Sequence, residues 1–458
     1  MHVPPLDKEL GITVYTTSST GIGGTIRMAP EDFFVEEVLV DGSVASVEKP
    51  GANPALGASA SRQRYLLCVL VKRNWDTLVA ITKIARQLGI DQTKIYIAGI
   101  KDAKAVTAQH VAIEGVVAED VRKIHIRDIE IRPIGYFRDE LSTFYLLGNR
   151  FTITINGLTH SKSTLKRQIG RTMERLIAQG GIPNFFGHQR FGTTRSITHL
   201  VGEALVKGDI QGAAMLFLAK PSPNEHPDSR TEREQLQSSQ DFKSALKTFP
   251  KQLRFERLML HHLVDNPTDF SGAFRQLPLK LQALFVQAYQ SYLFNCFLSR
   301  RVKKGLSLNI AEIGDYVVNV ERSGLPMTKT GRHVTSASLS DDNESIKAGK
   351  MRLALPIVGF GQRLSEGEMG RIEANVLGEQ SLELKSFRVQ ELPRISGKGG
   401  LRTIISPVRD FRINELFGSD EVEGGNRVKI SFMLLRGSYA TILLREVIKP
   451  QDPIEAGF

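Results

Sequence analysis

Strand-patterned segments stand at both ends of this 458-residue chain, and a long helix-patterned middle separates them. That order constrains the fold more than any other feature. The closing strands are expected to pair with the opening ones across an inserted segment, because an unpaired strand leaves its backbone groups exposed. Short alternating or β-branched runs occur at 33–40, 64–72, 106–113, 124–132 and 151–156. Between them one helix is expected, with Asn74 as N-cap, an apolar stripe of Leu78, Ile81, Ile84, Ala85 and Leu88, and Gly89 as its stop. A second helix fits 163–179. The Ala, Gly and Ser stretch 52–61 reads as a loop inside this domain.

Composition shifts after Gly192. Residues 220–241 are polar and proline-containing and read as an exposed connection. Beyond them Leu281, Leu284, Phe285, Ala288, Tyr289, Tyr292, Leu293, Cys296 and Phe297 recur at three–four spacing, which predicts a buried helix. Arg300, Arg301, Lys303 and Lys304 close it as a solvated basic end. Strand character returns at 402–406, 427–435 and 439–447, with Gly437-Ser438 as a hairpin turn between the last two. The fold class is α+β, and no internal repeat at a fixed period is found.

Lys plus Arg outnumber Asp plus Glu by 60 to 49, a formal charge of +11 that is compatible with a polyanionic partner. Cys68 and Cys296, the two cysteines, sit in apolar surroundings and suit a reducing compartment. They are too few for a zinc site, and no disulfide framework is expected. Met1-His2-Val3-Pro4-Pro5-Leu6-Asp7 has no apolar run behind a basic start, and no segment approaches the roughly 20 apolar residues of a membrane span. A cytoplasmic protein is expected.

Several constellations fail as chemistry. Gly21-Ile22-Gly23-Gly24 and Gly397-Lys398-Gly399-Gly400 lack the Lys-Ser/Thr of a phosphate loop and read as turns. His261-His262 lacks the spacing of a zinc-protease helix, and no Gly-x-Ser-x-Gly elbow occurs. Two segments remain. In the stretch Gly99-Ile100-Lys101-Asp102, a short apolar run reaches a glycine, and the loop after it carries a carboxylate flanked by Lys101 and Lys104. Nearby cations keep a carboxylate ionised, as a nucleophile requires, and attract phosphate. By itself the segment reads first as a surface turn with solvated charges. The second, 182–192, crowds Phe185, Phe186 and Phe191 with Gln189 and Arg190 between glycines. Such a cluster can stack on bases or can be a packed linker.

Together these segments resemble the TruD family of pseudouridine synthases. The family pattern Gly-x-Lys-Asp-x-x-Ala-x-Thr-x-Gln is filled at every fixed position from Gly99 to Gln109. Gly148-Asn149-Arg150-Phe151 matches Gly-Asn-x-Phe. The block Pro-Asn-Tyr-Phe-Gly-x-Gln-Arg-Phe-Gly is matched from Pro183 to Gly192, with Phe185 in place of the Tyr. Pro30-Glu31-Asp32-Phe33 with Arg27 before it fits near one end, and Gly437-Ser438-Tyr439-Ala440-Thr441 with Arg445-Glu446 near the other. The middle segment looks like that of the archaeal or eukaryotic branch.

The resemblance implies a discontinuous pseudouridine-synthase sheet domain, 1–180 and 405–458, interrupted by a mainly helical α/β TRUD insertion at 181–404. It implies isomerisation of uridine to pseudouridine in tRNA, at position 13, with the base flipped out and no cofactor or metal. Asp102 would be the nucleophile. Arg27 or Lys101 would pair with it, Asn149 would orient the loop or base, and Phe151 would stack on the base. Lys104, Gln109, Phe185, Gln189 and Arg190 would bind RNA or shape loops. tRNA is the expected partner, and a monomer with no obligatory protein partner and no membrane association is expected. The competing reading is a non-catalytic tRNA-binding protein on the same scaffold.

Overall fold

The computed structural model describes residues 2–48, 55–418 and 425–458. Positions 52–54 of the expected loop lie outside the described residues. The chain forms two compact units. One comprises Thr17–Ile182, Glu321–Leu325 and Ser406–Phe458, the other Met1–Thr16, Pro183–Val320 and Pro326–Ile405. The sequence divides the chain near 180 and 404 but assigns its first residues to the sheet domain. Instead they belong to the second unit, where Leu10 and Gly11 carbonyls accept from Asn295 (2.9 Å) and Ser299 (2.6 Å). Buried Asp7 meets His188 there at 2.7 Å.

The first unit is built on an eight-stranded mixed sheet. Its strands are β1 (Phe33–Leu39), β2 (Tyr65–Arg73), β3 (Ile95–Ile97), β4 (Val106–Glu114), β5 (Ile129–Phe137), β6 (Leu146–Leu158), β7 (Val408–Phe417) and β8 (Asn426–Leu435). They run in the order β7-β8-β6-β1-β4-β2-β5, with β3 on β4. The closing strands thus join the opening ones, β8 lying antiparallel to β6. β1 and β4 pair in parallel.

Residues paired across strands share a face. Phe432, Phe151, Val35, Thr107 and Lys72 are therefore aligned on one face, from β8 through β6, β1 and β4 to β2. Glu37 and Asn149 pair one step along on the same face, as do Gln109 and Leu70. Helix α1 (Thr77–Leu88) covers part of it, its Ile81, Ile84 and Ala85 packing with Leu66, Cys68 and Leu70. Each buried aliphatic side chain there contributes about 1.5–3 kcal/mol.

Three local expectations change. Asp76, not Asn74, caps α1, accepting from the amides of Leu78 (2.8 Å) and Val79 (3.0 Å). Asn74 takes a left-handed turn (φ 56°), a conformation asparagine tolerates. The segment expected as a final strand is helix α3 (Ala440–Ile448), buried at all nine residues. Thr441, Ile442, Val447 and Ile448 are β-branched, which favours a strand reading in so short a run. The expected exposed connection at 220–241 contains the helix Pro227–Ser239, started by a proline at its first position. It buries only Ser229, Arg233 and Leu236, so its sequence stays polar. Helix α2 (Lys162–Ala178) lies within one residue of its expected bounds.

The second unit sets helices around Leu279–Lys303, together with a four-stranded antiparallel sheet of Gly400–Thr403, Met351–Ile357, Tyr316–Val320 and Pro326–His333. The basic end of the long helix is only partly solvated, because Arg301 is buried and forks onto Asp315 at 2.6 and 2.8 Å. Among the described residues, no helix is long and apolar enough to cross a membrane.

Candidate active site

Residues 98–105 connect β3 to β4, and Asp102 lies in this loop. The shared sheet face holds the loop from below. Gln109, wholly buried, donates from Nε2 to the Gly99 carbonyl at 3.1 Å. Thr77, the first residue of α1, uses its hydroxyl twice: it accepts from the Lys101 amide and donates to the Lys101 carbonyl, both at 3.2 Å. Lys72 donates from Nζ to the Asp102 carbonyl at 2.7 Å. Each bond satisfies a backbone group that a loop would otherwise leave to water.

Lys101 turns away from solvent. Its side chain is 4% exposed, and its Nζ lies 2.5 Å from Glu37 Oε2 on β1. Burial pushes the Glu37 carboxyl upward, but Lys101 and His110 outweigh it and leave the pKa below the ordinary value. Glu37 Oε1 also accepts from the His110 amide at 3.0 Å. So Lys101 neither faces a phosphate nor supplies the salt bridge to Asp102. It anchors the loop through a buried ion pair.

The cation beside Asp102 is Arg27, whose Nη2 stands 3.2 Å from Oδ1. The Asp102 side chain is 35% exposed and that of Arg27 11%, so the carboxylate faces solvent while its partner is sunk behind it. Arg27 has a left-handed backbone (φ 59°), which non-glycine residues seldom adopt. Three contacts hold it there. Its guanidinium lies over the Phe33 ring at 4.0 Å, its Nη1 donates to the Gly457 carbonyl at 3.0 Å, and its Nη2 meets Asp102. Burial draws the Arg27 pKa below its usual value, and Asp102 opposes that fall.

Phe33 leads to Phe151, edge-on at 6.2 Å, and Phe151 stacks on Phe432 at 5.4 Å. Phe151 is 6% exposed, so most of its ring is occupied by these neighbours. It supports the Arg27–Asp102 pair through Phe33. Asn149 stands opposite Glu37, and its buried Oδ1 has no hydrogen-bond partner among the described residues. Lys104 is exposed at the edge of the loop.

The remaining expected residues belong to the other unit. Phe185 is fully buried, so it shapes a core and cannot touch RNA. The hydroxyl of the family's tyrosine would lie inside that core. Arg190 bonds Ser291 (3.1 Å) and Gln287 (3.2 Å) on the long helix, and Gln189 beside it is half-buried. Arg402 holds the same segment, bonding the Asn184 carbonyl at 2.9 Å and lying over the Phe186 ring at 4.0 Å.

Sequence reasoning missed Glu37, Lys72, Thr77 and Gly457. Glu37 and Lys72 sit in apolar strands at inward positions, where a charge is costly unless paired. That inward parity was the available signal. Nothing in the sequence ties Gly457 to Arg27.

The model of the family described as tRNA pseudouridine synthase D (TruD) matches residues 9–447. The chain belongs to the TruD family. It is 39% identical over 457 residues to the "Probable tRNA pseudouridine synthase D" of Methanosarcina acetivorans, covering 99% of each chain. It is 36% identical over 439 residues to the protein of the same name from Thermococcus sibiricus, covering 95% of this chain and 97% of the other. A crystal structure of a TruD protein from Methanosarcina mazei superposes with a TM-score of 0.82 at 37% identity, covering 98% of this chain and 99% of that one. The TruD resemblance read from scattered motifs thus extends over nearly the whole length, and the α+β architecture agrees with that crystal structure.

Proposed function

We propose that this TruD-family chain isomerises uridine to pseudouridine in tRNA, at position 13, with Asp102 as nucleophile. The reaction breaks the N1–C1′ bond of the nucleotide and forms C5–C1′. A proton leaves C5 and N1 gains one, so nothing is oxidised and no redox cofactor is called for. The Arg27–Asp102 pair carries this reading. A partly exposed carboxylate, paired with a buried guanidinium on a loop tied at several points, has the accessibility and fixed rotamer a nucleophile needs.

The base must leave the stack to reach Asp102. Asn149 offers a buried carbonyl oxygen with no partner among the described residues, suited to the N3–H of uracil. Phe151 serves as the floor of the site, and a base would meet only its small exposed edge. We assign the sheet unit as the catalytic domain and the helical unit as the TRUD insertion.

The polyanionic partner is supported by α2. Lys166, Arg167, Arg171 and Arg175 are exposed on it, with Glu174 the acid among them. Among the described residues none of the four cations has a carboxylate within 4.0 Å. Arg167, Arg171 and Arg175 recur every fourth residue, about 6 Å apart along the axis, a spacing suited to successive phosphates.

Tritium release from 5-tritiated uridine in tRNA tests the proposal. Wild-type protein should release tritium from one tRNA position and Asp102→Asn should release none while still binding tRNA. A wild-type protein that binds tRNA but forms no pseudouridine would leave only the RNA-binding reading.

A further inference from the structure

Lys72 is a charged residue of the sheet face that the proposed chemistry leaves without a task. It lies on β2, paired with Thr107 of β4 and Ile129 of β5, and is 0% exposed. A buried ammonium is costly unless it is well bonded. Here its Nζ donates to two carbonyl oxygens, those of Trp75 and Asp102, each at 2.7 Å. Neither acceptor carries a charge. Packing alone does not call for this arrangement, because an aliphatic side chain would fill the position without the desolvation cost.

The two acceptors belong to different segments. Trp75 lies in the turn that leads into α1, and Asp102 is in the loop between β3 and β4. One ammonium therefore ties the loop to the turn at the peptide of Asp102 itself. The charged groups facing it are Asp102 and Lys101 from the loop and Asp76 from the cap of α1. Both carboxylates favour the ammonium and Lys101 opposes it.

We propose that Lys72 is a positioning residue for Asp102, fixing its peptide and adding a second positive charge to that of Arg27. This rests on Asp102 being the nucleophile. Burial pushes the Lys72 ammonium down to about 8, against the pull of Asp102 and Asp76. It is therefore mostly charged at pH 7.

Two variants and one titration test this. Lys72→Met removes both the donors and the charge, and Lys72→Gln keeps donors without the charge. At saturating tRNA, Lys72→Met should lower kcat on the order of 100-fold, the cost of a misplaced reacting group, with little change in KM. Lys72→Gln should recover part of that loss. In both, the acid limb of the kcat–pH profile should move to higher pH, because a buried positive charge near the carboxylate is gone. A merely structural lysine would lower kcat equally at all pH values, and parallel profiles would overturn the proposal.

The titration needs no Lys72 variant and no turnover. Lysine carbon resonances followed by NMR should show Lys72 titrating at lower pH in Asp102→Asn than in wild type. Identical titrations would show that the two groups are not coupled and would overturn the proposal even if both variants fail to fold. A wild-type protein that forms no pseudouridine but shows the coupling would instead count against the functional reading.

Discussion

The Arg27 guanidinium reaches the Asp102 carboxylate at 3.2 Å from a backbone held in the left-handed region. Such a conformation costs on the order of 1–3 kcal/mol in a non-glycine residue and persists only where its surroundings impose it. Here the Phe33 ring, the Gly457 carbonyl and Asp102 impose it. Arg27→Met should keep the fold but leave the carboxylate without its paired cation. The expected result is a kcat loss of about 100-fold or more, partly restored by Arg27→Lys. Single-turnover kinetics with saturating tRNA would show it; a loss confined to KM would assign Arg27 to RNA binding instead.

Gly457 should matter for activity although it lies outside every motif. Its φ is +86°, and a Cβ there would lie 2.1 Å from the Ile26 carbonyl oxygen. Gly457→Ala must therefore displace the Ile26–Arg27 segment or its own. Deleting 456–458 also removes the Ala456 carbonyl, which accepts from the Ile26 amide at 2.9 Å. Both changes should lower kcat about 10-fold or more. The deletion should also lower the melting temperature, because it removes Ala456 and Phe458, both buried. Wild-type kcat in the deletion variant would show that Arg27 needs no such anchor.

What the sequence disclosed follows from which interactions leave a periodic trace. α2 was legible because one face of it is buried and the other is not, and β2 and β4, buried almost throughout, were legible as apolar β-branched runs. α3 was misread because so short a run, rich in β-branched residues, carries the local signature of a strand. Asp102 was legible only through the surrounding motif, since Lys101 and Lys104 make it look like a solvated turn. The structure separates those two lysines: Lys104 is exposed, while Lys101 is buried against Glu37. The parity of β1 and β2 carried the missing information. Glu37 and Lys72 occupy inward positions in apolar strands, where a charge needs a partner from elsewhere in the chain. Their partners lie on a loop brought near by the parallel β1–β4 pairing, which no local pattern encodes.

The cationic row on α2 makes the salt dependence of tRNA affinity a quantitative test. Each phosphate contact releases counterions, so log Kd rises with log salt in proportion to the number of contacts. Arg167→Ala/Arg171→Ala should weaken tRNA binding and reduce the slope by roughly 2, with the loss in affinity exceeding the loss in kcat. Filter binding from about 50 to 200 mM salt covers the informative range. An unchanged slope would mean that these arginines are a solvated face.

Glu373 predicts a pH dependence of stability in the helical unit. Its carboxyl is fully buried on the helix Gly367–Glu379. Oε2 accepts from the Ser365 amide at 2.7 Å, and Oε1 lies 2.7 Å from the Ser365 hydroxyl. Burial pushes its pKa up to about 8, only partly offset by the bonds to Ser365. The folded protein thus holds a proton that the unfolded chain releases at ordinary carboxylate pH. Stability from this group is full below the unfolded pKa. It falls as pH rises through neutrality and is lost once pH passes about 8, where the folded state ionises too. Glu373→Gln imitates the protonated form, its amide oxygen accepting from the Ser365 amide and its NH2 donating to the hydroxyl. The variant should match wild type near pH 5 and exceed it by a few kcal/mol near pH 9. Urea unfolding at both pH values measures the difference, and a variant less stable than wild type at pH 9 would mean that the ionised carboxylate is well solvated where it sits.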